Sequence, residues 1–213
     1  VIGAVSAQSS VTLYGLADAF VGSERLAAAG ATSNGTTQTV VNSGGQNGSR
    51  WGLRVSEDLG GGLAAIAQFE SGFEIDTGKS AQSSTLFGRQ AFVGLKSGFG
   101  TLALGRQYGP YYDMKGVLSL QGNDNLFDAT GNGTIGAWKG YAARVDNSIK
   151  FQSNNYSGLS FSAIYGLGEN KRSDASASST FGIGAMYANG PVTVGVVHQN
   201  DGTARGLAGV GNG

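Results

Sequence analysis

Apolar and polar side chains take turns along this chain. Between 10 and 21, Val11, Leu13, Gly15, Ala17, Ala19 and Val21 fall on one face, and Thr12, Tyr14, Leu16, Asp18 and Phe20 on the other. A period of two is the mark of a half-buried β-strand. It returns where Trp51, Leu53 and Val55 oppose Arg50, Gly52, Arg54 and Ser56, and where Leu63, Ala65, Ala67, Phe69 and Phe73 oppose Gln68, Glu70 and Glu74. Further on, Val145, Ile149 and Phe151 alternate with Asp146, Ser148 and Lys150, and Leu159, Phe161, Ala163 and Tyr165 share a face. The pattern predicts nine strands, at 10–21, 49–57, 62–74, 85–96, 100–112, 143–153, 158–168, 180–188 and 191–200. Segments of about 10 residues match the strands of a tilted membrane barrel.

The joints between these strands come in two alternating kinds. Long polar stretches lie at 23–48, 76–84, 113–143, 169–179 and from 201 onward; tight reversals lie at 57–62, 96–100, 154–157 and 188–191. Each short joint carries Gly, Asn or Asp, the residues that accept positive φ at a reversal. Hairpins with every short turn at one end and every long loop at the other form an up-and-down antiparallel array, the arrangement of outer-membrane barrels. Greek-key crossings in a soluble sandwich would scatter the two kinds.

Composition sharpens that reading. Gly supplies 38 of 213 residues and charged residues 13%, against about 7% and 25% in ordinary globular chains. A lipid-facing surface excludes charge, and small residues relieve crowding in a strongly coiled sheet. Trp51, Phe69, Phe73, Phe161, Tyr165 and Tyr187 near strand ends are suited to the headgroup level. Without Cys there is no disulfide frame, thiolate zinc site or cysteine nucleophile. A single His and 14 basic residues against 14 acidic ones argue against a His-rich metal centre and a nucleic-acid surface. No apolar run is long enough for a membrane-crossing helix. His198 has no nucleophile nearby in sequence, and the many Gly spacings join no strand to a helix, so no enzyme activity and no cofactor are expected.

Residues 1–7 read as the remnant of a secretory signal peptide ending at Val5-Ser6-Ala7, with a mature start at Gln8. Residues 8–213 read as the N-terminal part of one barrel domain, since nine strands leave two open edges that a bilayer does not tolerate. Closing a 16-stranded barrel would take on the order of 150 further residues.

Four segments then carry a family likeness: QSSVTLYGLADAFV at 8–21, SRWGLRVSEDLGGGLAAIAQFESGF at 49–73, FGRQAFVGLKSGFGTLALGRQYGPYYD at 87–113, and SNNYSGLSFSAIYGLGEN at 153–170. In order and spacing the chain resembles the Gram-negative general porins, particularly those of betaproteobacteria, from Gln8 to about Asn200. The resemblance implies an outer-membrane homotrimer of 16-stranded barrels among lipid and lipopolysaccharide. Each barrel is a water-filled channel for small hydrophilic solutes and ions, with the third external loop folded inward as a constriction.

Alternation puts Arg50 and Arg54, two pleat repeats apart, on the polar face of the second strand, so both point into the lumen. Strict parity with Val93 and Leu95 would turn Arg89 to lipid, which costs ~2 to 4 kcal/mol at the midplane; Arg89 and Ala91 are therefore read as inward and Phe92 as outward. By resemblance, Arg50, Arg89 and Arg144 match lumen arginines of the family, with Arg54 beside them and Lys150 deeper on the sixth strand. Arg106 shares its parity with Leu102 and Leu104 and is left open.

The 113–143 stretch corresponds to the inward loop, and its acids are Asp113, Asp124 and Asp128. The Pro-Glu-Phe-Gly turn of enterobacterial porins is absent, so Asp124 and Asp128 are read either as constriction acids or as ordinary loop carboxylates. Opposed charges across an aperture make a transverse field that favours polar solutes. The basic excess predicts a mild anion preference, narrowed by the wall acids Glu70, Asp18 and Asp146. Two other functions fit parts of the pattern: a solute-selective channel, given Tyr108, Tyr111 and Tyr112, and a secreted adhesive β-protein displaying its Ser/Gly-rich loops.

Overall fold

The computed structural model describes residues 9–26, 36–118, 142–169 and 178–202. In chain order it contains β1 (Ser9–Leu16), β2 (Ala19–Leu26), β3 (Thr36–Ser43), β4 (Arg50–Gly60), β5 (Leu63–Gly72), β6 (Gln90–Ser97) and β7 (Gly100–Tyr108). The helix α1 (Pro110–Leu118) follows, then β8 (Arg144–Ser153), β9 (Leu159–Gly166), β10 (Thr180–Asn189) and β11 (Val192–Asp201). Nine of the strands form one sheet in the order β1-β4-β5-β6-β7-β8-β9-β10-β11, while β2 and β3 pair only with each other. Every pairing is antiparallel. The sheet is therefore the expected up-and-down array, open at β1 and β11.

Three boundaries differ from the sequence expectation. The first sheet strand stops at Leu16; Ala19 onward belongs to a separate hairpin, β2–β3, inside the stretch expected to be loop from 23 to 48. Residues 85–89 precede β6 rather than belonging to it. The fifth strand ends at Tyr108 because Pro110, which has no N–H for the ladder, opens α1 instead. The expected signal-peptide remnant, 1–7, lies outside the described residues.

At the short-joint end, Gly60, Gly61 and Gly62 take φ of 82°, 62° and 79° to reverse β4 into β5, a conformation costly for any residue with a Cβ. At the other end Asp18 ties the base of the β2–β3 hairpin. One carboxylate oxygen accepts the main-chain N–H of Gln46 (2.9 Å) and of Asn47 (2.7 Å). Those backbone bonds hold the Asp18 carboxyl below its usual value. A depressed carboxyl adds stability above the unfolded-state value and loses it as pH falls through the folded one. The Gln46 and Asn47 amides should accordingly lose hydrogen-exchange protection at acid pH, and Asp18→Asn should remove that pH dependence; unchanged protection across the titration would refute the tie.

The two faces of the sheet are chemically unlike. On the convex face Val11, Leu13, Val93, Leu104, Ile149, Phe161, Ile183 and Val196 are exposed, Leu13 and Val196 by 70% each. Such a surface suits lipid, where apolar side chains need no cover. On the concave face Thr12, Arg54, Gln68 and Lys96 border one shallow hollow. The buried apolar side chains among the described residues are Ala103, Tyr111, Met114, Val145 and Ile164. Two of these belong to α1, which contacts β9, β10 and β11.

Glycines on β10 make room for that helix. A Cβ on Gly184 would stand 3.1 Å from Ser162 Oγ, 3.3 Å from Pro110 Cβ and 3.5 Å from Met114 Cε, and one on Gly182 would stand 3.2 Å from Pro110 Cδ. The helix thus lies against the inner wall over β9, β10 and β11.

Candidate functional site: an arginine-lined cavity beside the loop helix

A cavity of about 790 Å³ opens at the long-loop end of the concave face. Arg50, Arg54, Arg89 and Arg144 all line it, together with Tyr14, Gln68, Glu70, Glu74, Tyr108 and Tyr112. Four guanidinium groups expected from separate positions in the sequence therefore meet in one space. Each is held by a different device.

Arg50 opens β4 and donates from Nη1 to the Gly48 carbonyl at 3.1 Å. Arg54, two pleat repeats further along, stacks its guanidinium 4.2 Å above the Tyr14 ring. Tyr14 lies across Gly52, where a Cβ would come within 2.8 Å of its hydroxyl. That hydroxyl donates to Glu70 Oε2 at 2.8 Å and accepts from Gln68 Nε2 at 2.8 Å.

Arg89 donates from Nε to Glu70 Oε1 at 2.6 Å. Its inward direction agrees with expectation, but the parity assigned to its neighbours does not. Phe92 faces the concave side, bordering the hollow with Arg54 and Lys96, whereas Ala91 pairs in register with Phe69 and Arg106 on the other face. The reason is an irregularity at the strand entrance. Glu70 pairs in register with Gln90, yet its carbonyl also accepts the Arg89 N–H at 3.1 Å. Two consecutive residues facing one is how a bulge re-aims a side chain, and both Arg89 and Gln90 turn into the cavity.

Arg144, at the start of β8, donates from Nε to the Arg89 carbonyl at 3.1 Å. Its Nη2 and that of Arg89 both donate to the Tyr108 hydroxyl, at 3.1 and 3.0 Å. The Tyr108 ring stacks on Tyr112 of α1 with centroids 4.3 Å apart and planes 16° apart.

Lys150 occupies a neighbouring pocket of about 220 Å³ rather than the arginine cavity. Its Nζ donates to Asp113 Oδ2 on α1 and to the Tyr108 carbonyl at 2.8 Å. Asp113 is thus an anchor of the helix to the wall; burial lifts its carboxyl above the usual value, against the pull of Lys150. Asp124 and Asp128 lie outside the described residues. Arg106 does not enter the cavity: it pairs with Asp146 and donates from Nε to the Gly88 carbonyl at 2.9 Å. β8 has an extra residue opposite Arg106, where the register shifts and Asn147 takes φ of 50°.

Sequence reasoning placed Tyr14 and Gln68 on the polar face without giving either a role. Alternation carries the signal: Gln68 pairs directly opposite Arg54, and Tyr14 pairs with Gly52, two residues from Arg50 and Arg54 on the same face. Among the described residues no three His, Cys, Asp or Glu gather as a metal site.

Comparison with known proteins gives the cavity its setting. The chain is 37% identical to an outer membrane porin protein of Bordetella pertussis, covering 90% of this chain and 54% of that protein. It is 34% identical to major outer membrane protein P.IB of Neisseria meningitidis serogroup B, covering 87% and 52%. The chain thus spans about half the length of these curated relatives. Among solved structures it is similar to an anion-selective porin from Comamonas acidovorans, with a TM-score of 0.75, 28% identity, and coverage of 92% of this chain and 59% of that one. The profile of the Gram-negative porins matches residues 2–212. By that match, and by an antiparallel wall whose apolar and polar faces are segregated, the chain belongs to the Gram-negative porin family.

Proposed function

We propose that this chain supplies part of the wall of an outer-membrane diffusion channel with a mild anion preference, and that its arginine cavity is the selectivity region. The observation that carries the reading is the convergence of Arg50, Arg54, Arg89 and Arg144 on one cavity that also contains Glu70 and Glu74. Glu70 is already paired with Arg89, so the local field is positive. Between low-dielectric walls such a field concentrates anions and slows cations. The similarity to a porin described as anion-selective supports the same sign.

In this reading α1 is the first part of the third external loop, held inward by the Lys150–Asp113 pair and forming one side of the narrow passage. Small hydrophilic solutes and ions pass through; lipid and lipopolysaccharide surround the convex face, and three copies assemble through their outer walls. The chemistry is passage without bond making, as in porins rather than enzymes.

The test is a reversal potential across a planar bilayer under a potassium chloride gradient, using the full-length protein. Stepwise conductance with anions favoured over cations is expected, and replacement of Arg50, Arg89 and Arg144 by Ala should bring the permeability ratio toward unity. Channels whose ratio ignores all three substitutions would place selectivity elsewhere; a folded protein without conductance would end the channel reading.

A further inference from the structure

The arginine cavity contains a contact that its charges alone do not require. Arg89 lies just before β6 and Arg144 opens β8, and each is already fixed at Nε, the first by Glu70 and the second by the Arg89 carbonyl. Their Nη2 ends nevertheless converge on the same atom, the Tyr108 hydroxyl oxygen, at 3.0 and 3.1 Å. One oxygen at those distances keeps the two Nη2 groups no more than about 6 Å apart, a separation at which like charges repel. A phenol oxygen has two lone pairs, enough for both donors. The Arg144 guanidinium carbon also lies 4.9 Å from the centroid of the Tyr108 ring, and that ring stacks on Tyr112.

The placement of Tyr108 calls for explanation. Leu102 and Leu104 point to the convex face, and continued alternation would send Tyr108 there as well. Instead β7 ends at this residue and the chain turns into α1 at Pro110, so that the ring enters the cavity and its carbonyl meets Lys150.

We propose that Tyr108 is a positioning residue for selectivity: its hydroxyl clamps Arg89 and Arg144 into a close pair of cations, and its stack on Tyr112 fixes that pair relative to the loop helix. This inference rests on the proposed reading of the arginines as the selectivity-setting charges. The wall arginines alone would give a diffuse positive surface. The clamp makes two of them one doubly charged group at a set distance from α1, and the anion preference depends on that focus.

The experiment compares Tyr108→Phe, Arg144→Ala and the double variant of the full-length protein, by reversal potential and single-channel conductance. Phe keeps the ring and the stack on Tyr112 and removes only the shared acceptor. The expected result is a permeability ratio lowered roughly twofold, as for cations that keep their charge but lose their focus, in a protein that still folds and still forms channels. The hydroxyl's effect should also vanish in the Arg144→Ala background, a non-additivity that a general structural role would not produce. If Arg144→Ala changes the ratio and Tyr108→Phe does not, or if the two effects simply add, the clamp is refuted and the selectivity reading stands. If neither Arg144→Ala nor Arg89→Ala changes the ratio, the selectivity reading itself fails.

Discussion

Gly184→Leu is expected to lower single-channel conductance about twofold, by pushing the loop helix into the passage. The inner face of β10 is already filled at that point: a Cβ would stand 3.1 to 3.5 Å from Ser162, Pro110 and Met114. Leu adds three more carbons. Overpacking a filled site costs about 1–3 kcal/mol unless something moves. The sheet cannot readily move, because β10 is bonded along its length to β9 on one side and β11 on the other. The helix is held chiefly by side chains and lies on the concave side of the sheet, so displacement carries it away from the wall, into the proposed passage. Gly184→Ala, which needs a shift of only a few tenths of an ångström, should leave conductance near the wild-type level. A folded Leu variant, judged by its heat-modifiable migration, that conducts normally would mean that α1 does not border the narrow part of the channel.

That helix was the least legible part of the chain. Alternation in β4, β5 and β9 is strict enough that the paired strands follow from the sequence within a few residues. The placement of Arg50 and Arg54 on the concave face follows with them. Tyr111 and Tyr112, by contrast, continue an aromatic, β-like run directly after β7. What ends the strand is Pro110 at the first helical position, together with an unusual landing site on Gly182 and Gly184 more than seventy residues later. No local pattern reveals a partner at that separation. Arg89 failed for a different reason. One irregular pairing opposite Glu70 breaks the parity, so the charge of Arg89 gives its direction correctly, while alternation counted from it puts Ala91 and Phe92 on the wrong faces. The β2–β3 hairpin is hidden in the sequence because Ala19 and Val21 of β2 continue the alternation of β1, and the Thr- and Gln-rich β3 has no apolar face to bury.

The largest loss of stability is expected from Glu70→Ala. Glu70 is 5% exposed, and its two oxygens are divided between Tyr14 of β1 and Arg89 at the entrance to β6. Through this one carboxylate three parts of the sheet that are not all neighbours in hydrogen-bonding order are joined on the inner face. Truncation leaves the Arg89 guanidinium, its side chain only 13% exposed, without its counter-charge and Tyr14 without its acceptor. Breaking a buried pair from one side costs about 3–5 kcal/mol, because the remaining charge stays desolvated. Denaturant unfolding in detergent micelles would read that loss. Glu70→Gln should recover part of it, since an amide still offers Tyr14 an acceptor while withdrawing the charge. The same two variants bear on function in the opposite direction: each removes a negative group from the cavity, so the channels that do fold should favour anions more strongly than wild type. Wild-type stability in Glu70→Ala would show that water screens the pair as it does on an open surface, where such contacts contribute about 0–1 kcal/mol. Stability lost without any gain in anion preference would separate the carboxylate's role in the wall from any role in the field.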